Sequence, residues 1–268
     1  TFTARPGLVT SIIGPNGAGK TTALNLICGF YQPDAGAVRL GDQDVTSRSS
    51  YQRARAGIAR TYQTSQLFGT LSVLDNVLVA IDRGHLGVRT MFSPDRDGER
   101  RAIAESLLAF VCYRGALEQP AGALSHVDKR LVEIARALAI RPAVLALDEP
   151  VAGLDDKDSA AIGAVLEKVA GTGIAVILIE HDMQVVMRVS QHVIVLDAGI
   201  KIAEGPPAQI ATDPAVLKAY LGEEKPSDRS RTGTMTPSGE VLLAARELSA
   251  GYGATTVLRG IEISVGQG

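Results

Sequence analysis

The sequence predicts an α/β fold built on a covered, mainly parallel sheet, and three observations carry that prediction. Residues 8–13 (Leu-Val-Thr-Ser-Ile-Ile), 144–147 (Val-Leu-Ala-Leu) and 175–179 (Ala-Val-Ile-Leu-Ile) are short apolar runs without alternation, the pattern of strands buried on both faces. Residues 14–22 read Gly-Pro-Asn-Gly-Ala-Gly-Lys-Thr-Thr directly behind the first run. Asp148-Glu149-Pro150 closes the second run, which puts two carboxylates at the C-terminal end of a buried strand, where open α/β sheets bind ligands.

Residues 14–22 are a complete phosphate-binding loop. Gly14, Gly17 and Gly19 let successive backbone N–H groups turn inward on phosphate, Lys20 has the reach for β and γ phosphates, and the Thr21 hydroxyl suits Mg²⁺. Pro15, Asn16, Ala18 and Thr22 complete the cradle. Residues 23–29 read as a helix closed by Gly29, so the loop lies at a helix N-terminus whose dipole also favours anions. A glycine-rich turn with an accidental lysine is the plain alternative, and the order strand, loop, helix argues against it.

Further along, residues 32–36 are rich in turn formers, a short strand pair is expected around 37–40, and helical stretches near 73–81 and 99–111. A strand at 174–179 precedes Glu180-His181-Asp182. Residues 193–196, the turn 197–199 and the return 200–203 form a plausible hairpin. Residues 223–239 are polar and linker-like, and strand character returns at 241–248 and 257–265.

The chain has 268 residues, 46% hydrophobic and 21% charged, with a formal net charge of -2. That composition fits a folded protein and gives no electrostatic footprint for nucleic acid. No apolar run approaches the ~20 residues that span a bilayer, so membrane association is expected through a partner. Cys28 and Cys112 belong to no metal spacing, which predicts reduced thiols in a reducing compartment. No secretory signal is visible, and Thr1 stands almost on a core strand, from which a piece of a longer polypeptide is expected.

The chemistry rests on a constellation. Asp148 is expected in the Mg²⁺ shell, and Glu149, directed to the other side of the strand, is expected to accept a proton from an attacking water. His181, after the next long strand, is placed to contact the γ phosphate, and Gln63 lies between the two halves. Singly, each has an ordinary reading: a satisfied histidine, a solvated glutamine, a capping Asp-Glu pair. Together and in order they point to nucleoside-triphosphate hydrolysis.

With those motifs in place, residues 1–222 resemble the nucleotide-binding subunit of ABC transporters: Gly14 to Thr22 as Walker A, Gln63 as Q-loop, Leu124-Ser125-His126-Val127-Asp128 as signature, Val144 to Glu149 as Walker B, Gly153-Leu154-Asp155 as D-loop and His181 as H-loop. The style is closest to branched-chain amino-acid importers, in Ala59-Arg60-Thr61-Tyr62-Gln63, Leu67-Phe68, the insert around 84–98 and Ile179-Glu180-His181-Asp182-Met183. Urea and lipid-exporter ATPases are the near relatives. The resemblance implies a P-loop NTPase fold of ABC type, with a mainly parallel core sheet, a small antiparallel β subdomain and a helical signature subdomain.

It further implies ATP and Mg²⁺, the metal held by Thr21, Gln63 and Asp148, with Lys20, Gln63, Glu149 and His181 in catalytic roles. Ser125 and Asp155 would act across a head-to-tail pair of ATPase domains. The partners implied are a second ABC ATPase domain, membrane permease subunits and, indirectly, a solute-binding protein, on the cytoplasmic face of the inner membrane. A nucleotide-dependent dimerisation module with little turnover is the alternative.

Two departures from the family pattern stand out. The usual signature is Leu-Ser-Gly-Gly-Gln, and here Val127 replaces the second glycine; if that backbone needs positive φ, valine costs about 1–2 kcal/mol there and slow hydrolysis is expected, and if it does not, Val127 carries no penalty. Only thirteen residues precede Gly14, whereas residues 240–268 resemble the opening strands of a second ABC domain, with Tyr252 at the adenine-stacking position. The expected organisation is a first ABC domain over 1–222, a linker over 223–239 and a truncated second domain over 240–268. A strand return from 240–265 into the first domain's sheet is the sharper alternative.

Overall fold

The computed structural model describes residues 1–81, 94–221, 241–252 and 255–266. The chain divides into two compact units, Thr1–Gly222 and Glu223–Gly268.

The first unit is organised by a six-stranded sheet. Its strands are β1 (Val9–Ile13), β4 (Ile58–Arg60), β5 (Val144–Asp148), β6 (Ala175–Ile179), β7 (His192–Asp197) and β8 (Ile200–Gly205), in the spatial order β4-β5-β6-β1-β7-β8. Every neighbouring pair is parallel except β7 and β8, the expected hairpin. All residues of β1 and β6 are buried, as the unbroken apolar runs require, because helices cover both faces.

Alternation divides the strands between two cores. Ile12, Ile58, Ala146, Ile177 and Ile179 meet Leu24 and Cys28 of α1 (Lys20–Cys28) on one face. Ala59, Leu145, Leu147, Val176 and Leu178 face α5 (His126–Ala139) and α6 (Asp156–Gly171) on the other. The second core runs on into a helical layer, where α3 (Val73–Ile81) and α4 (Pro94–Phe110) pack with α5. Shorter helices complete the unit: α2 (Ser50–Ala56), α7 (Met183–Val189), α8 (Pro207–Ile210) and α9 (Pro214–Leu221).

Several expectations are corrected in detail. The small antiparallel pair is β2 (Arg39–Leu40) with β3 (Gln43–Asp44), so its return strand lies beyond 37–40. The helix expected at 99–111 begins at Pro94, a residue pre-set for a first helical turn. Residues 84–93 of the insert lie outside the described residues, as does the linker over 223–239.

Buried Arg53 of α2 ties the end of α1 into place. Its guanidinium donates to the carbonyls of Leu26, Ile27, Thr46 and Arg48. Gly29 ends α1 in the left-handed region at φ 79°, and a Cβ there would lie 2.9 Å from the Arg53 side chain. Glycine is therefore required twice, by conformation and by space.

The second unit holds β9 (Val241–Tyr252) and β10 (Thr255–Gly266), which pair antiparallel in a two-stranded sheet of their own. Among the described residues, the backbone partner of each of these two strands is the other.

Candidate active site

The phosphate-binding loop leaves β1 at Gly14, where the backbone has φ 151° and a Cβ would sit 2.0 Å from the carbonyl oxygen of Leu196. The end of β7 thus crosses the loop so closely that only glycine fits. Gly17 and Gly19 follow at φ 81° and 95°, backbone values glycine reaches without strain. Gly19 caps α1 with no side-chain hydrogen bond, so the first-turn N–H groups of α1 are left for a ligand. Buried Lys20 folds back over the loop, its Nζ donating to the carbonyls of Gly14 (2.8 Å) and Pro15 (3.0 Å). Asn16, Thr21 and Thr22 are exposed, while Ala18 is buried.

Asp148 ends β5 and is buried at 5% exposure. It shares the strand face of Ala146, two residues back, which packs on α1. Burial pushes its carboxyl up, and the Arg60 guanidinium pulls it down. Arg60, at the end of β4, donates from Nη2 to Asp148 Oδ2 at 3.0 Å and from Nη1 to Asn25 Oδ1. Its guanidinium carbon lies 5.2 Å from the ring centre of Phe30 and 5.1 Å from that of Tyr62.

Glu149 diverges from Asp148 through a left-handed backbone, φ 48°, fixed by its N–H donating to Ile179 O at 2.9 Å. Its carboxylate accepts Gln63 Nε2 at 2.8 Å on Oε2, and His181 Nδ1 lies 3.7 Å from Oε1. The fold therefore brings Gln63, Glu149 and His181 together, three residues that sequence order alone had only grouped. Gln63, expected also beside the metal, takes Glu149 as its partner.

Ser125 and Asp155 are exposed helix caps. Ser125 Oγ accepts the Asp128 N–H at 3.2 Å and donates to Asp128 Oδ2 at 2.8 Å, and Asp155 Oδ1 accepts the Asp158 N–H at 2.7 Å. Val127 lies within the first turn of α5 and is absent from the residues of positive φ. Of the two readings of Val127, the unstrained one holds, because the motif is helical from His126 onward. Tyr252 ends β9 in the second unit, and its side chain lies outside the described residues.

Other groups escaped sequence reasoning. In sequence Arg60 carries no signal beyond its place in Ala59-Arg60-Thr61-Tyr62-Gln63. Fully buried Glu180 accepts the Val151 N–H at 3.0 Å on Oε1 and the His181 N–H at 3.2 Å on Oε2, tying the loop after β5 to the histidine. Burial pushes the Glu180 carboxyl up, against those backbone hydrogen bonds. Its signal was available: a glutamate continuing an entirely apolar strand. From α5, Arg130 Nη1 donates to Tyr62 O at 3.0 Å and its Nη2 to Gln63 O, Glu133 Oε1 accepts the Gln66 N–H at 2.8 Å, and Arg136 Nη1 donates to Gln66 O at 2.8 Å. The helix capped by Ser125 thus holds the segment carrying Gln63.

Residues 1–152 match the family described as ABC transporter, and residues 201–226 the one described as branched-chain amino acid ATP-binding cassette transporter. The chain is 40% identical over 223 residues to the high-affinity branched-chain amino acid transport ATP-binding protein BraF of Pseudomonas aeruginosa, covering 80% of this chain and 87% of BraF. It is 39% identical over 228 residues to LivG of Escherichia coli, covering 81% and 88%. The lipopolysaccharide export ATP-binding protein LptB of Acidithiobacillus ferridurans is 33% identical over 218 residues, covering 81% and 87%. Among solved structures, a nucleotide-free ATP-binding cassette from an ABC transporter superposes with a TM-score of 0.72 at 32% identity, covering 83% of this chain and 91% of that one. The ADP conformation of the cassette MJ1267 gives 0.70 at 33%, covering 81% and 89%. With the loop, the paired carboxylates and the helical signature in their places, the chain belongs to the ATP-binding subunits of ABC transporters, in the group of the branched-chain amino-acid ATP-binding proteins, and is an ATPase.

Proposed function

We propose that this chain binds Mg²⁺-ATP and hydrolyses it to power import of branched-chain amino acids or a similar small polar solute through a membrane permease. The observation that carries the hydrolytic part is the meeting of Gln63 and His181 on Glu149 beside the phosphate-binding loop. The kind of solute rests on BraF and LivG.

In this reading the N–H groups of residues 14–22 and the Lys20 ammonium hold the β and γ phosphates. The residues fit Mg²⁺: the Thr21 hydroxyl and Asp148 carboxylate are hard oxygen donors, with the Gln63 amide as a further oxygen. Among the described residues no cluster of three or more His, Cys, Asp or Glu could hold a metal unaided. Mg²⁺ suits such a site because nucleotide phosphates and water complete its shell. The ion would supply neutralisation of phosphate charge. Glu149 takes the proton of the attacking water, Gln63 and Glu180 fix where Glu149 and His181 stand, and His181 contacts the γ phosphate.

Ser125 and Asp155 close the site of a second ABC domain. Among the described residues no helix is long and apolar enough to cross a membrane, which suits a peripheral subunit on the cytoplasmic face of the inner membrane. The permease bears on the groove lined by Phe30, Tyr51, Tyr62 and Phe68, immediately beside Gln63. Residues 1–222 are the working domain, 223–239 a linker, and β9 with β10 the opening strands of a second ABC domain, Tyr252 its adenine-stacking residue.

Turnover and uptake test this reading together. In proteoliposomes with the cognate permease and binding protein, leucine uptake should require ATP and vanish with Glu149→Gln. ATP turnover that is indifferent to Glu149→Gln would refute the hydrolytic role, and ATP-driven uptake of no branched-chain amino acid would refute the solute.

A further inference from the structure

The Asp148 carboxylate has a built-in counter-ion that neither the phosphate-binding loop nor the metal shell explains. Both partners are buried, with side-chain exposures of 8% for Arg60 and 7% for Asp148. The guanidinium is held from several directions: Nη2 on Asp148 Oδ2, Nη1 on Asn25 Oδ1 from α1, and the neighbouring rings of Phe30 and Tyr62 against one side. The rings meet edge to face at 6.0 Å between centres. The remaining guanidinium nitrogen, Arg60 Nε, is buried without a hydrogen-bond partner.

A carboxylate that ligates a metal works best when its other oxygen is held, because the held oxygen sets the direction in which the free one points. We infer that Arg60 is a positioning residue for the metal-binding carboxylate: it holds Asp148 Oδ2 so that the other oxygen, Oδ1, is presented to Mg²⁺. The inference rests on the assignment of Asp148 to Mg²⁺. A planar guanidinium hydrogen-bonded at two nitrogens and backed by aromatic rings keeps one orientation, whereas a lysine ammonium would supply the charge without the fork. Phe30 and Tyr62 also line the open groove, so the rings that back the guanidinium are themselves part of a surface that a partner can press upon.

The test is the Mg²⁺ dependence of binding of trinitrophenyl-ATP, a fluorescent nucleotide, to the full chain. Arg60→Met should raise the half-saturating Mg²⁺ concentration by roughly 10–100-fold, the usual cost of losing such a support, and leave binding in EDTA unchanged. Arg60→Lys should recover part of the shift. Phe30→Ala with Tyr62→Ala should move it the same way by a smaller factor, and Asn25→Ala serves if Arg60→Met does not fold. An unchanged or lower half-saturation in the folded Arg60 variants would overturn the inference. Asp148→Asn separates the two levels: if it keeps the parent's Mg²⁺ dependence, the metal assignment fails, and if it loses that dependence while Arg60→Met does not, only the role of Arg60 fails.

Discussion

Gln63 and Glu149 are joined side chain to side chain, Nε2 to Oε2 at 2.8 Å, although 86 positions separate them in sequence. The amide donates and the carboxyl oxygen accepts, which fixes where the Glu149 side chain stands. Glu149→Gln should lower steady-state ATP turnover by roughly 10²–10⁴-fold while nucleotide affinity stays at the parent value. A coupled ATPase assay and equilibrium binding of a fluorescent nucleotide read the two quantities separately.

Val127 stands in the first turn of α5, partly buried against the larger core. Restoring glycine there relieves no strain and removes packing, and glycine inside a helix costs about 0.5–1 kcal/mol relative to alanine. Val127→Gly should therefore show no gain in turnover and a lower melting temperature. A rise in ATPase rate would return the signature to the list of impaired elements.

Arg53 is fully buried and serves four carbonyls, two of them at the open end of α1. Arg53→Met leaves those acceptors dry, at about 1–3 kcal/mol for each one that water cannot reach. The expected loss in urea unfolding is at least about 3 kcal/mol. Arg53→Lys should recover little, since one ammonium cannot span the four acceptors.

Glu180 gives a signed pH dependence. Burial raises its carboxyl above the ordinary value, so the folded state holds the proton more tightly than the unfolded chain. Its contribution to stability is therefore full below the ordinary glutamate range and is lost as pH rises through the raised value. Glu180→Gln removes that slope but gives up one backbone hydrogen bond. Urea midpoints measured between about pH 4 and 7 should find the variant weaker than the parent at the acid end, with the gap narrowing toward neutrality.

Much of this was legible because period and order are local properties. The runs at β1, β5 and β6 declared a sheet covered on both faces, and glycine at 14, 17 and 19 declared where backbone had to turn. The pairing of Gln63 with Glu149 was legible only as membership in a set. Arg60 and Arg53 are illegible as structural pieces because a buried charge reads in sequence like any surface charge; what buries it is the partner that the fold supplies from far along the chain. The sequence leaves Val127 open between a strained left-handed turn and an unstrained backbone, and the helix that begins at His126 decides for the second.

Glu149 carries φ 48°, a conformation that costs a non-glycine residue roughly 1–2 kcal/mol. The position asked for the chemistry is therefore among those where the chain is most easily improved as a folded object. Glycine there would suit the backbone and end the proton transfer. A campaign that selects this chain for heat resistance alone will be drawn toward inactive variants at this one codon. A screen that rewards survival must count turnover in the same round.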